Sequence, residues 1–127
     1  MKTKDIIQYE KNNENTILLI VNKTVCRAFE TSAFLLSKCI PIEKFYCKYS
    51  SAANIHMLYT WFSARKLDNV LDMLRLHGFY PISCKEGSIL LGKENIKPDG
   101  YGEWREKVYD EIMVEQHSYT TGHSKTE

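Results

Sequence analysis

The chain lacks the patterns that assign many proteins to a chemical class directly. It contains six glycines, and none of them forms a glycine-rich nucleotide-binding fingerprint. Its four cysteines include no CxxC pair, and a zinc site would need two close pairs of ligands. We therefore expect neither a cofactor nor a metal.

Long hydrophobic runs are also missing. No stretch of about 18 consecutive apolar residues is present, the length that a membrane-spanning helix needs. The first ten residues lack the apolar run of a signal peptide. These absences favour a cytoplasmic protein without membrane contact, in which the cysteines are free and mostly buried thiols.

Neither sign of charge is in excess. Lysine and arginine number 17 against 16 aspartates and glutamates, which gives a formal net charge of +1. The molecule as a whole therefore has no strong field to attract nucleic acid or an anionic membrane. Any such binding must come from a local basic patch.

Two blocks of hydrophobic patterning carry most of the information about the fold. In the first, the apolar run 17–21 predicts a strand, and a helical pattern follows a polar break at 22–24. That pattern comprises Val25, Ala28, Phe29, Ala33 and Leu36. In the second block, residues 67–77 predict a helix that ends at Gly78, and residues 79–84 resume as a strand.

The rest of the chain adds strands and one helix. Three more strands are predicted from alternating or β-forming residues: 42–49, 55–62 and 89–91. A final helix is predicted from apolar residues at every fourth position: Trp104, Val108 and Ile112. Together the elements predict one α/β or α+β domain over residues 1–116, with a mixed sheet of about five strands flanked by helices. Residues 117–127 are expected to form a disordered tail.

The two blocks resemble a known family. Residues 17–33 are similar to the start of the MutS N-terminal mismatch-recognition domain (domain I), with its pattern L-L-F-R-x-G-D-F-Y-E-x-F-x-x-D-A. Residues 67–86 resemble a later stretch of that domain, in which V-x-x-Y-L-x-x-L-x-x-x-G leads to V-A-I-C-E-Q. The order and the spacing also agree. The resemblance implies an α/β domain that contacts DNA.

The functional residues of that family are replaced in this chain. Where the family has Gly-Asp-Phe-Tyr-Glu, the sequence has residues 23–27. Val25 stands at the position of the wedge phenylalanine and cannot stack on a mispaired base. Arg27 stands at the position of the base-contacting glutamate. The resemblance therefore implies a degenerate, stand-alone version of the domain, in which Lys23 and Arg27 contact the DNA backbone without reading mismatches.

A second candidate for nucleic-acid contact is the predicted strand 42–49. Alternation places Lys44, Tyr46 and Lys48 on one face, and cations beside an aromatic ring suit a phosphate backbone and an unstacked base. The same three residues could equally be a solvated face, or lysines that prevent edge-to-edge pairing of sheets. The predicted nucleic-acid site is therefore Lys23, Arg27, Lys44, Tyr46 and Lys48.

Two other classes of function remain open. A protein-interaction or homodimerising module is suggested by the near-neutral charge and the 12% aromatic content, with the Trp104, Val108 and Ile112 helix or a tyrosine-rich surface as the contact. Pro98-Asp99 with Glu103 and Arg105 superficially resembles a nuclease motif. Because these residues lie within one turn and one helix start, they would not converge on a cation. We therefore expect a non-enzymatic protein without catalytic residues.

Overall fold

A computed structural model describes residues 2–51, 53–94 and 99–126, with side chains as far as residue 116. The helices are α1 (Thr3–Lys11), α2 (Glu30–Ser37), α3 (Leu67–Leu76) and α4 (Tyr101–Thr126). The strands are β1 (Thr16–Val21), β2 (Val25–Phe29), β3 (Tyr46–Ser50), β4 (Ile55–Ser63), β5 (Tyr80–Lys85) and β6 (Ser88–Gly92). A short 3₁₀ turn, Ala64–Lys66, precedes α3.

The strands form a single six-stranded sheet in the order β3-β4-β2-β1-β6-β5. The predicted α+β class, with about five strands flanked by helices, is confirmed. The sheet is not mixed, however, because each pair of neighbouring strands in it is antiparallel. Three of the five pairings are hairpins, β1–β2, β3–β4 and β5–β6, whose short connections allow only antiparallel pairing. The other two pairings, β2–β4 and β1–β6, join strands that are not consecutive in the chain.

The additional strand is β2, and here the predicted helix over residues 25–36 is wrong in its first half. The Asn22 side chain holds a tight turn, because its Oδ1 accepts hydrogen bonds from the backbone nitrogens of Thr24 and Val25, each at 2.8 Å. The Asn22 nitrogen also donates to the Val25 carbonyl oxygen. Side-chain acceptors of this kind compete with helical hydrogen bonding. The chain therefore returns as a strand, and the helix begins only at Glu30.

Helices α2, α3 and α4 cover one face of the sheet, which we call the helical face. Its core combines strand residues such as Ile17 and Leu19 with Leu36 of α2 and Leu74 of α3, each of them fully buried. The predicted C-terminal amphipathic helix packs against this core. The Trp104 ring of α4 lies 5.2 Å from the Phe34 ring and 5.1 Å from the Phe45 ring, measured between centroids.

Helix α1 lies on the opposite face and covers only part of it. Ile6 of α1 packs against Phe29 and Met57, and all three are buried. The remainder of this sheet surface has no helix over it among the described residues. We call that remainder the open face.

Two further predictions concern the tail and the thiols. The predicted disordered tail, 117–127, falls where α4 runs on to Thr126, but its side chains lie outside the described residues, and the prediction stays untested. All four cysteines are free thiols. Cys26 and Cys39 are buried as expected, whereas Cys47 is half-buried and Cys84 is exposed on edge strand β5. Among the described helices, none combines the length and the apolar character needed to cross a bilayer.

Candidate nucleic-acid interface

One row of side chains crosses the open face from β4 to β5. Trp61 pairs with Arg27, and Arg27 also pairs with Ile20 of β1. Ile20 in turn pairs with Ser88, and Ser88 with Lys85. Residues directly opposite each other in an antiparallel sheet point to the same side. The row Trp61, Arg27, Ile20, Ser88 and Lys85 therefore places one aromatic ring and two cations on one surface.

A second row, nearer α1, is aromatic. Tyr59 of β4 lies between Tyr46 of β3 and Phe29 of β2, its direct cross-strand partners. The Tyr59 ring stacks on both, with centroids 5.4 Å apart in each case. Because Phe29 is buried under α1 and Tyr46 is half-buried, these rings form a rigid base beside the more exposed Trp61. The Trp61 side chain is 46% exposed.

Three of the residues predicted for the site lie on the same side of the sheet, although Arg27 and Lys48 pair with positions four residues apart on β4. Arg27 lies in the first row and Tyr46 in the second. Lys48 pairs with Met57 and is exposed at the β3 edge. The register places Arg27, Tyr46 and Lys48 on the side of the sheet opposite α2, α3 and α4.

Lys23 lies at the adjacent end of the sheet rather than on its face. It is exposed in the β1–β2 turn. The Ala64 nitrogen donates to the Thr24 carbonyl oxygen at 2.9 Å, which holds this turn beside the 3₁₀ turn containing Arg65 and Lys66. The loop after β5 reaches the same end, because the Val21 nitrogen donates to the Gly87 carbonyl oxygen.

This arrangement creates a basic end in a chain of almost no net charge. The cations at or near it are Lys23, Arg27, Arg65, Lys66 and Lys85. Acidic side chains near these turns are Glu86, between β5 and β6, and Asp68, in the first turn of α3. A local positive potential of this kind attracts phosphates even where the whole molecule is near neutral.

Lys44 precedes β3 and lies outside its strand alternation. Its carbonyl oxygen accepts a hydrogen bond from the Thr60 hydroxyl at 2.9 Å, just before β3 begins. Its ammonium lies 3.9 Å from the Glu115 carboxylate and 5.4 Å from the centre of the Tyr46 ring. Both partners of the ion pair are largely exposed, and such a pair contributes little free energy. The Lys44 ammonium can therefore exchange Glu115 for a phosphate at small cost.

Three residues of this surface are absent from the predicted site: Tyr59, Trp61 and Lys85. Tyr59 and Trp61 lie in the predicted strand 55–62, and their i, i+2 spacing already placed them on one face. Lys85 lies just beyond the predicted strand 79–84 but is the last residue of β5. A β-bulge between Pro81 and Ser83 also shifts the register of β5, and alternation along the sequence does not carry across a bulge.

A buried polar network fixes α4 to the sheet. Glu30 is buried, and its backbone has a φ of +46°, which is strained for a residue other than glycine. Its carboxylate accepts hydrogen bonds from Arg105 Nε at 2.9 Å and Arg105 Nη2 at 3.1 Å. The Tyr101 hydroxyl and the Leu58 nitrogen donate to the same carboxylate. Arg105, which belonged to the nuclease-like pattern, is therefore a structural anchor here.

A second buried carboxylate fixes α1. Glu10 accepts hydrogen bonds from the Ser32 hydroxyl at 2.6 Å, the Ser32 nitrogen at 3.1 Å and the Asn13 amide at 3.0 Å. Burial raises the pKa of Glu10 to about 7, and the negative charge of Glu30 acts in the same direction. Glu10 and Glu30 line one cavity of about 580 Å³. Because both carboxylates are occupied by internal donors, they serve the fold.

The fold and the site define a class: an α+β domain with an antiparallel sheet whose open face carries aromatic and cationic side chains. No protein-family model, no curated protein and no solved structure matches the chain. The resemblance to the MutS N-terminal domain therefore stays a prediction. Within the described ranges, no group of three or more His, Cys, Asp or Glu side chains could hold a metal ion.

Proposed function

We propose that this protein is a non-catalytic nucleic-acid-binding module that holds its ligand against the open face. One observation carries the proposal: the register places Arg27, Tyr46, Lys48 and the exposed Trp61 on the same side of the sheet, which α1 covers only in part. Cations beside aromatic rings are suited to phosphates and to unstacked bases.

The distribution of charge supports the same function. With a net charge of +1, the chain has no general affinity for polyanions, and binding must be local. The basic end supplies several cations close to the open face, of which Lys23, Arg65 and Lys66 are exposed. Contacts from such side chains to phosphates position nucleic acid without reading its sequence.

The resemblance to the MutS N-terminal domain is consistent with this proposal and limits it. Val25 is half-buried at the start of β2, where it pairs with Ser63. An aliphatic side chain at this position cannot act as an aromatic wedge. Arg27, two residues further on, adds positive charge. We therefore expect the module to contact the phosphate backbone of DNA and to show no preference for mismatches.

Fluorescence polarisation with labelled single-stranded, duplex and mismatched DNA, at low and moderate salt, tests the proposal. The variant is Arg27→Ala/Lys48→Ala. The control is Arg75→Ala/Lys107→Ala, which removes one arginine and one lysine from the exposed surfaces of α3 and α4.

We expect salt-sensitive binding that the first double variant weakens at least tenfold and the control leaves within about twofold. Mismatched and matched duplexes should bind equally. The proposal fails if the wild type does not bind at low salt, or if both double variants weaken binding to the same extent.

A second candidate function is binding to another protein or to a second copy of the chain. The exposed residues favour a different contact surface from the predicted C-terminal helix. The apolar side of α4 packs against the core of the same chain, since Val108 is only 8% exposed and Trp104 packs on Phe34 and Phe45. Tyr80 and Ile82 on edge strand β5 are 55% and 64% exposed and favour that edge instead. A solution mass near twice 14.8 kDa, lost in Ile82→Lys, would support a homodimer.

A further inference from the structure

Trp61 is placed to act on a base rather than on a phosphate. Large aromatic side chains usually bury their rings in a core or an interface, as Trp104 does between Phe34 and Phe45. The Trp61 ring instead leaves the sheet on the open face and is 46% exposed. Its aromatic surface is available to a flat ligand.

One cation lies directly beside Trp61, and a second has its backbone on the other side. Arg27 is the direct cross-strand partner of Trp61 on β2. On the β3 side, the Lys44 backbone is bonded to the Thr60 hydroxyl, one residue before Trp61, and the Lys44 ammonium is paired with Glu115. If that exposed ion pair opens, a strand of nucleic acid lying across β4 meets a positive charge, then an exposed ring, then a second positive charge. This order matches the alternation of phosphates and bases in a single strand.

A ring on the open face needs a base with an uncovered face. Tyr59 is already stacked between Phe29 and Tyr46, so the exposed Trp61 ring is the one that we consider for a base. Bases in a duplex follow one another at about 3.4 Å along each strand, and their faces are covered by their neighbours. A ring on the sheet surface can stack only on a base whose face is free.

We infer that the preferred ligand of the open face is single-stranded nucleic acid, with one unpaired base stacked on Trp61 and the adjacent phosphates on Arg27 and Lys44. This inference rests on the proposed function and makes it more specific. A duplex could contact the cations of the basic end, but it would leave the Trp61 ring unused.

The test compares a labelled pyrimidine-rich single strand, as DNA and as RNA, with the matching DNA duplex at one salt concentration. The variants are Trp61→Leu, which keeps bulk and apolar character without an aromatic face, and Trp61→Phe, which keeps the face. Tyr80→Leu removes another exposed ring from the far end of the same side of the sheet. Circular dichroism verifies that each variant is folded.

We expect both single strands to bind more tightly than the duplex. Trp61→Leu should weaken single-strand binding roughly tenfold and leave duplex binding unchanged. Trp61→Phe should retain most of the affinity, and Tyr80→Leu should behave as the wild type.

The outcomes separate this inference from the proposed function. Duplex binding equal to or tighter than single-strand binding, if lost in Arg27→Ala/Lys48→Ala, overturns the inference and leaves the proposed function standing. Equal loss for both ligands in Trp61→Leu also overturns it. Absence of binding to every ligand overturns the proposed function itself.

Discussion

Arg27 of β2 and Trp61 of β4 are direct cross-strand partners, so a guanidinium and an exposed indole leave the sheet side by side. Arg27 pairs on its other side with Ile20 of β1. The pair therefore lies near the middle of the sheet rather than at an edge. A charge and a ring held on adjacent rigid strands keep a fixed spacing, which a flexible loop would not provide.

The salt dependence of binding should report how many cations contact phosphates. Arg27→Ala and Lys85→Ala each remove one cation of the first row. Each should make the negative slope of log K against log salt shallower by about 0.7 for a single strand. Arg75→Ala on α3 should leave the slope unchanged. Unchanged slopes in both variants would show that these two cations do not contact phosphates.

Arg105→Ala should destabilise the fold more than the loss of an ordinary surface arginine. The substitution leaves the buried Glu30 carboxylate with donors only from Tyr101 and Leu58. We expect a loss of roughly 3 kcal/mol in the free energy of unfolding, at the low end for a broken buried pair because Arg105 is 35% exposed. Urea denaturation measures it, with Arg75→Ala as a control expected within about 0.5 kcal/mol of the wild type. Equal effects of the two variants would contradict a structural role for the pair.

Glu10 should make stability fall as the pH rises. Its pKa is raised from 4.5 to about 7 in the folded protein, so the folded state holds the proton more tightly than the unfolded state. The stabilisation is fully present below pH 4.5 and is lost between pH 4.5 and about 7, with a total on the order of 3 kcal/mol.

Glu10→Gln isolates this effect, because glutamine resembles the protonated carboxyl group and does not ionise. Urea denaturation at pH 5 and pH 8 should show the variant gaining stability relative to the wild type at the higher pH. A constant difference between the two proteins at both pH values would refute the assignment.

The turn that creates β2 depends on one acceptor atom. Asn22→Ala removes the Oδ1 that binds the nitrogens of Thr24 and Val25, and we expect a loss of about 1–2 kcal/mol in the free energy of unfolding. Asn22→Asp keeps an acceptor at this position and should retain most of the stability. Thermal unfolding of both variants provides the comparison. Equal destabilisation by Asp and Ala would show that the hydrogen bonds are not what holds the turn.

Local patterns predicted most of the strands, and the strand 42–49 shows why. Its alternation separates Tyr46 and Lys48 from Cys47 and Tyr49, and the structure confirms that separation. The segment 25–29 fits the helical period through Val25, Ala28 and Phe29, whereas in β2 the adjacent Ala28 and Phe29 are buried on opposite faces, so the strand has no apolar–polar alternation. The turn before β2 is held by hydrogen bonds from the backbone to the Asn22 side chain. An interaction of this kind leaves no trace in the pattern of hydrophobic residues.

Contacts between residues far apart in the chain cannot be predicted from local sequence patterns. Glu30 and Arg105 lie 75 positions apart, and the strand order that joins Arg27 to Trp61 depends on how the hairpins pair. Sequence patterns therefore predict Lys23, Arg27, Lys44, Tyr46 and Lys48 from two separate segments. They do not show that β2 and β3 lie on either side of β4, or that Trp61 lies on the strand between them.

The most direct test of the nucleic-acid interface is to map it by NMR, titrating ¹⁵N-labelled protein with an unlabelled single-stranded oligonucleotide. We predict chemical-shift changes at Arg27, at residues 46–48 and 59–61, and at the indole NH of Trp61. The indole of Trp104, packed on the helical face, should stay unchanged. Changes confined to α3 and α4, or no changes at low salt, would contradict binding at the open face.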